Sequence, residues 1–293
     1  MSAVQDQDTV YASPEFQSVD VGSIMRTGHP DIAEGDSYIV SAVRKLRSQT
    51  GRPLRIIDVG SGSADLSAIL AEQLPDSEIV ANDVAPNPVA QAREKLARFP
   101  RTRVFDQPFE TWQEPVDVVI SWGSHHHLSH DYLTRVREIL SEDGILIIGD
   151  EFCPEYLTPA DRERLAVARQ VAIIDGYIFD NPDDVAGYRD IGRLPEWSER
   201  LEEARRRTLW TWYKFVGDYA VQHDAWSVLI AELAIARDDL VTNFAGEHKT
   251  SPYLLERELQ LNDFEITDRK TIGDREPALL SFVIYTVRPA GKE

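Results

Sequence analysis

Residues 54–83 read LRIIDVGSGSADLSAILAEQLPDSEIVAND. Positions 54–59 form a short apolar, β-branched run, too brief for a helix, which predicts a buried parallel strand. The run passes through Asp58 into Gly60-Ser61-Gly62-Ser63-Ala64. Asp65 follows, and Leu66, Ile69, Leu70 and Leu74 recur at helical spacing. A second apolar run over 78–81 ends at Asn82-Asp83. The unit is strand, glycine turn, helix, strand and terminal acid. Glycines let the backbone approach a ligand with no Cβ in the way, and an acid after the second strand can accept both hydroxyls of a ribose.

Two ligand classes compete for such a unit. A nicotinamide dinucleotide wants Gly-x-Gly-x-x-Gly, with helix N-terminal N–H groups facing a pyrophosphate. Counting from Gly60, this chain reads Gly-Ser-Gly-Ser-Ala-Asp, so the third glycine is missing. Asp65 sits in the first helical turn, where a carboxylate repels a pyrophosphate. A ligand with an ammonium or sulfonium charge fits better. Asp58 before the turn and Asp83 after it resemble the class I S-adenosylmethionine-dependent methyltransferases.

Outward from this unit the alternation continues. Residues 36–49 carry Ile39, Val40, Val43 and Leu46 on one helical face, ended by Gly51-Arg52-Pro53. A helix over 87–99, strands over 102–105 and 116–120, a helix over 131–140 and a strand over 145–148 follow. The rhythm stops at Phe152; residues 154–249 read as helical, charged and aromatic. It resumes with a helix over 252–261 and strands over 264–269 and 279–287. With no helix between them, these last two are expected to pair as an antiparallel hairpin at the sheet edge. The fold class is therefore α/β, a doubly wound, mostly parallel sheet. The ending resembles the sixth and seventh strands of the methyltransferase fold. Three parts are expected: an N-terminal cover (1–33), a core (34–153 with 250–293) and a helical insertion or lid (154–249). An insertion after the fifth strand lies over the transfer site by topology. Its aromatics, Trp197, Trp210, Trp212 and Trp226 among them, serve as a core of their own or as pocket wall.

Charge narrows the partners. The 293 residues hold 50 acidic against 31 basic side chains, a net −19, which repels a phosphate backbone, so no nucleic-acid partner is expected. Arg205-Arg206-Arg207 lies among glutamates and reads as a solvated helix face. The single cysteine, Cys153, excludes an internal disulfide and fits a cytoplasmic protein. MSAVQDQDTVYA has no apolar core, so no signal peptide is expected. No run approaches the roughly 18 apolar residues that a membrane span needs.

The resemblance also implies site residues. Gly60, Ser61 and Gly62 would lie along the methionine part of S-adenosyl-L-methionine, with Asp58 at the strand end before them also in the cofactor site, Asp83 on the ribose and Val84 against the adenine. Asp106 and Gln107 resemble the position that binds the adenine amine, and Ser121 ends the fourth strand nearby. The region ahead of residue 36 resembles the N-terminal cover of carboxy-S-adenosylmethionine synthases, making Tyr11, Met25 and Arg26 candidate contacts. After the fourth strand comes Ser121-Trp122-Gly123-Ser124-His125-His126-His127-Leu128, the segment that faces the methyl group in the family. His127 matches a histidine that in relatives fixes this loop. His126 is then the better general base, because imidazole titrates near neutral pH; His125 comes third. In the ubiquinone O-methyltransferase group two acids and a histidine here bind a metal. The matching Gly123, His126 and His127 lack an acid, which Asp150, Glu151 or His248 could replace, but nothing in the spacing requires it and no metal is expected. The expected activity is methyl transfer to a small-molecule acceptor, possible in secondary metabolism. Its rivals are a cofactor-binding protein without transfer (a cyclisation catalyst or regulatory partner) and a nicotinamide-dependent dehydrogenase.

Overall fold

The computed structural model describes residues 21–28, 31–128, 131–152, 221–222, 224, 226, 252–273 and 281–291. Its strands are β1 (Arg55–Val59), β2 (Glu78–Asn82), β3 (Thr102–Phe105), β4 (Val116–Trp122), β5 (Leu140–Phe152), β6 (Phe264–Thr271) and β7 (Ser281–Pro289). Its helices are α1 (Val21–Gly28), α2 (Ile32–Thr50), α3 (Asp65–Gln73), α4 (Pro86–Leu96), α5 (Asp131–Ile139) and α6 (Pro252–Leu261). The seven strands form one sheet in the order β3-β2-β1-β4-β5-β7-β6. The first five run parallel, and β7 lies antiparallel between β5 and β6. The expected hairpin is therefore present, with its second strand inserted against β5. The N-terminal residue Tyr11, His248 and nearly all of the expected insertion lie outside the described residues.

Both faces of the sheet are covered, as the continuous apolar strands require. Ile56, Val118, Ile120, Ile145 and Ile147 point to one side, where Ile39, Val43 and Leu46 of α2 and Leu66 and Leu70 of α3 pack. Ile57, Val59, Val119, Leu146 and Ile148 point to the other, against Tyr132, Leu133 and Val136 of α5 and Leu255 and Leu259 of α6. The alternation is the period of the pleat.

Several boundaries differ from the periodicity, those of α2 and β5 by the most residues. Helix α2 starts at Ile32, earlier than residue 36, and ends where Gly51 takes a left-handed φ of 67° and donates its N–H to Arg47 O. Strand β5 begins at Leu140, not Ile145, directly after α5. Leu140 pairs with Val116 and Ile145 with Val118, so residues 141–144 bulge between them. Tertiary pairing with β4 draws the end of the expected helix into the sheet. At the base of the sheet Arg52 grips Asp117 with two N–H bonds of 2.9 and 2.6 Å. Arg55 N–H and the Ser141 hydroxyl add one more each.

Candidate functional site

The polar residues of the core gather at the carboxyl ends of the parallel strands, where ligands bind in open α/β sheets. Asp58, Asn82, Ser121 and Asp150 are all buried there. Beyond β1 the chain turns through left-handed φ values of 66° at Gly60, 55° at Gly62 and 63° at Ala64. The two glycines serve different ends. A Cβ on Gly60 would lie 2.5 Å from Ser124 Cβ, so the turn after β1 is packed against the turn after β4. A Cβ on Gly62 would meet nothing within 4 Å, so that glycine faces open space.

Asp83 closes the glycine turn from the end of β2. Its carboxylate accepts N–H bonds from Gly62 and Ala85, at 2.8 and 2.9 Å, one on each oxygen. Burial pushes its pKa up, opposed by the N–H groups of Ala85, Gly62 and Val84. Asn82 donates its amide to the carbonyls of Phe105 and Gln107, at 2.9 and 2.8 Å, and so shapes the loop after β3. Val84 is an exposed apolar side chain beside that loop. Asp106 is exposed and bound by Arg93 at 2.6 Å, which, with Gln107, holds its pKa low. Ser121 is fully buried, its hydroxyl 2.8 Å from that of Ser124, which donates to Val59 O at 2.7 Å. This hydroxyl chain ties the two turns together.

Asp58 accepts from Ser67 at 2.7 Å. Burial raises its pKa to about 7, with the Ser67 hydrogen bond and Arg26 opposing and Asp36 and Asp83 reinforcing the rise. Arg26, from α1, pairs with Asp36 of α2 and stands 3.5 Å from Asp65. Lys95 Nζ lies 2.7 Å from the other oxygen of Asp65. The carboxylate read as a repeller of pyrophosphate is thus held between two cations, an arrangement that only the fold reveals. Met25, the other expected cover contact among the described residues, packs partly buried against the α2–α3 side of the core.

The three histidines form a 3₁₀ turn and diverge. His126 is buried with Nδ1 2.7 and 2.9 Å from the two oxygens of Asp150, and its backbone N–H binds the same carboxylate at 3.0 Å. An ionised carboxylate accepts only, so Nδ1 carries the proton and the basic nitrogen is Nε2. His125 is also buried, with Nδ1 2.6 Å from the Tyr132 hydroxyl and Nε2 3.3 Å from Glu258. His127 is exposed, its ring 4.1 Å from that of His126, and its N–H closes the turn on Ser124 O. Glu151 pairs with Phe282 in the sheet through its backbone. Among the described residues no three His, Cys, Asp or Glu side chains are grouped to hold a metal.

Sequence reading missed Trp122, Tyr132 and Glu258. The Trp122 indole donates to Asp36 at 3.0 Å and lies across Gly35 and Gly149, where a Cβ would come within 2.3 and 2.4 Å of the ring. Glu258 could have been suspected as an acid between Leu255 and Leu259 on the apolar face of its helix.

The chain is similar to known proteins in sequence and fold. Residues 57–146 match the family described as a methyltransferase domain. The tRNA1(Val) (adenine(37)-N6)-methyltransferase of Bacteroides thetaiotaomicron is 38% identical over 147 residues, 41% of this chain and 62% of that protein. The release factor glutamine methyltransferase of Streptococcus pneumoniae is 28% identical over 163 residues, 53% of this chain and 54% of that protein. The chain spans less than two thirds of the length of each. The citrinin polyketide synthase CMeT domain shares the fold at a TM-score of 0.56 and 12% identity, covering 97% of this chain and 59% of that one. The chain carries a class I S-adenosylmethionine-dependent methyltransferase domain, and S-adenosylmethionine is the cofactor of that class. The residues present fit it. Gly62 leaves the cradle open, and the Ser61 hydroxyl is shielded from solvent with no hydrogen-bond partner among the described residues. The Asp83 carboxylate has about four lone-pair sites, more than the N–H groups of Gly62, Ala85 and Val84 take up.

Proposed function

We propose that the protein transfers a methyl group from S-adenosylmethionine to a small-molecule acceptor bearing a hydroxyl or an acidic C–H. The observation that carries this is the His126–Asp150 pair in the turn packed against the glycine cradle. When bound, the cofactor supplies a sulfonium methyl open to in-line attack. Asp83 would hold the ribose, and the turn over Gly60, Ser61 and Gly62 would lie along the methionine part. His126 Nε2 takes the acceptor proton as the new bond forms. Asp150 keeps the Nδ1–H tautomer and stabilises the imidazolium that results. A neutral amine attacks without losing a proton first, so a dyad of this kind serves it little. The choice of a small molecule over tRNA rests on the net charge of −19.

Mass spectrometry of products from a panel of phenols, β-dicarbonyls and amines, each with S-adenosylmethionine, tests this reading. O- or C-methylated product is expected, and His126→Ala should lower its formation by about 10²–10⁴-fold while S-adenosylhomocysteine affinity stays nearly constant. Cofactor binding without transfer to any acceptor would favour a non-transferring protein on the same fold; methylation of amines alone would remove His126 from its role.

A further inference from the structure

The pairing around His125 has no part in the proton transfer proposed above, yet it buries three polar groups. Glu258, on α6, is 3% exposed and stands between Leu255 and Leu259, both fully buried. A carboxylate in that position is costly unless something offsets its lost hydration. His125 Nε2 is one of its partners, at 3.3 Å. On the opposite side of the imidazole the Tyr132 hydroxyl meets Nδ1 at 2.6 Å, and the phenol ring stands edge-on to the imidazole at 5.6 Å. Burial keeps Tyr132 protonated, and the carboxylates of Glu258 and Asp150 reinforce this. His125 is thus gripped by α5 and α6 at both nitrogens and across its edge. His126 is the next residue in the same 3₁₀ turn and is gripped by Asp150 of β5.

We infer that Glu258, acting through His125 and with Tyr132 as its counterpart, is a positioning residue for His126: the two acid–imidazole pairs hold adjacent residues of one short turn and fix where His126 Nε2 points. A 3₁₀ turn of three residues has few hydrogen bonds of its own, here His127 N–H to Ser124 O and Leu128 N–H to His125 O. Rotation of His125 therefore carries the backbone of His126 with it. Locking a catalytic side chain through the contacts of its neighbours is how a site keeps a productive geometry. The inference rests on His126 being the base, and it adds a residue from the far side of the chain to that role.

The test uses full-length protein labelled with 15N-histidine, S-adenosylhomocysteine as the only ligand, and imidazole resonances assigned from single histidine variants. In the parent protein His126 should show an Nδ1–H resonance that disappears in Asp150→Asn. Glu258→Ala should broaden or displace that resonance and move the His126 titration midpoint by about half a pH unit or more. Glu258→Gln keeps an acceptor for His125 Nε2–H and should restore the resonance. Tyr132→Phe, which removes only the hydroxyl, should displace it in the same sense but less, and serves alone if Glu258→Ala does not fold. S-adenosylhomocysteine affinity should stay within about two-fold in all three. An unmoved His126 signal in folded Glu258→Ala or, failing that, in Tyr132→Phe overturns the positioning role and leaves the base intact. Failure of Glu258→Gln to restore the signal overturns it as well. A parent protein without the Asp150-dependent resonance overturns the reading of the dyad itself.

Discussion

Asp83 joins two demands in one carboxylate. It accepts the N–H groups of Gly62 and Ala85, so it shapes the glycine turn before any ligand arrives, and on the proposed reading it would also hold the ribose. Asp83→Ala removes both functions. Losing charge-assisted hydrogen bonds of this kind costs about 1.5–3 kcal/mol, so S-adenosylhomocysteine affinity measured by calorimetry should fall about ten-fold or more. Unchanged affinity would take Asp83 out of the cofactor site. Neighbouring residues in the histidine turn show how much position decides. Three identical side chains divide into a buried ring held by Asp150, a buried ring held by Tyr132 and Glu258, and an exposed ring.

At the scale of elements, the site depends on turns packed against one another. The turn after β1 touches the turn after β4 through Gly60 and Ser124. The end of β4 touches α2 and β5 through Trp122, which has room only because Gly35 and Gly149 lack side chains. A methyl at Gly149 would come 2.4 Å from the indole and 3.1 Å from Ile284 Cγ1, and both neighbours are packed. Gly149→Ala is therefore expected to destabilise the protein by about 1–3 kcal/mol. It should also weaken the Trp122–Asp36 hydrogen bond, seen as a change in tryptophan emission. Thermal unfolding at the parent temperature would show that β5 has more room than the geometry allows.

For the whole molecule the governing feature is acid charge, a net −19, and two of its acids, Asp58 and Asp150, are buried toward the carboxyl ends of the strands. Asp58, held at about 7 by burial against an ordinary 3.8, binds a proton more tightly folded than unfolded. Its contribution to stability is complete below about pH 4 and is lost as pH rises through 7. A displacement of that size corresponds to about 4 kcal/mol at most. Asp58→Asn should flatten the fall in stability between pH 4 and 8 and stabilise the protein at pH 8 by up to that amount, measured by urea unfolding. Parallel pH profiles in the two proteins would show that Asp58 does not titrate there. Because a cationic ligand favours the ionised carboxyl, affinity for S-adenosylmethionine should rise across the same range more than affinity for S-adenosylhomocysteine.

The strand–glycine–helix unit over 54–83, the parallel direction of the early strands and the final hairpin were legible in the sequence. They follow from periodicity, glycine placement and short connections, all of which are local. The site was legible only as types of residue at strand ends. Which acid meets which histidine was not: Asp150 lies 24 residues from His126, and Glu258 reaches His125 from a helix beyond the sheet's fifth strand. Nor did the run of charge show that Asp65 sits between Arg26 and Lys95, or that β7 would enter between β5 and β6. Those pairings depend on how layers pack across a sheet. Side-chain partners brought together by packing carry no period along the chain, so only the tertiary structure decided them.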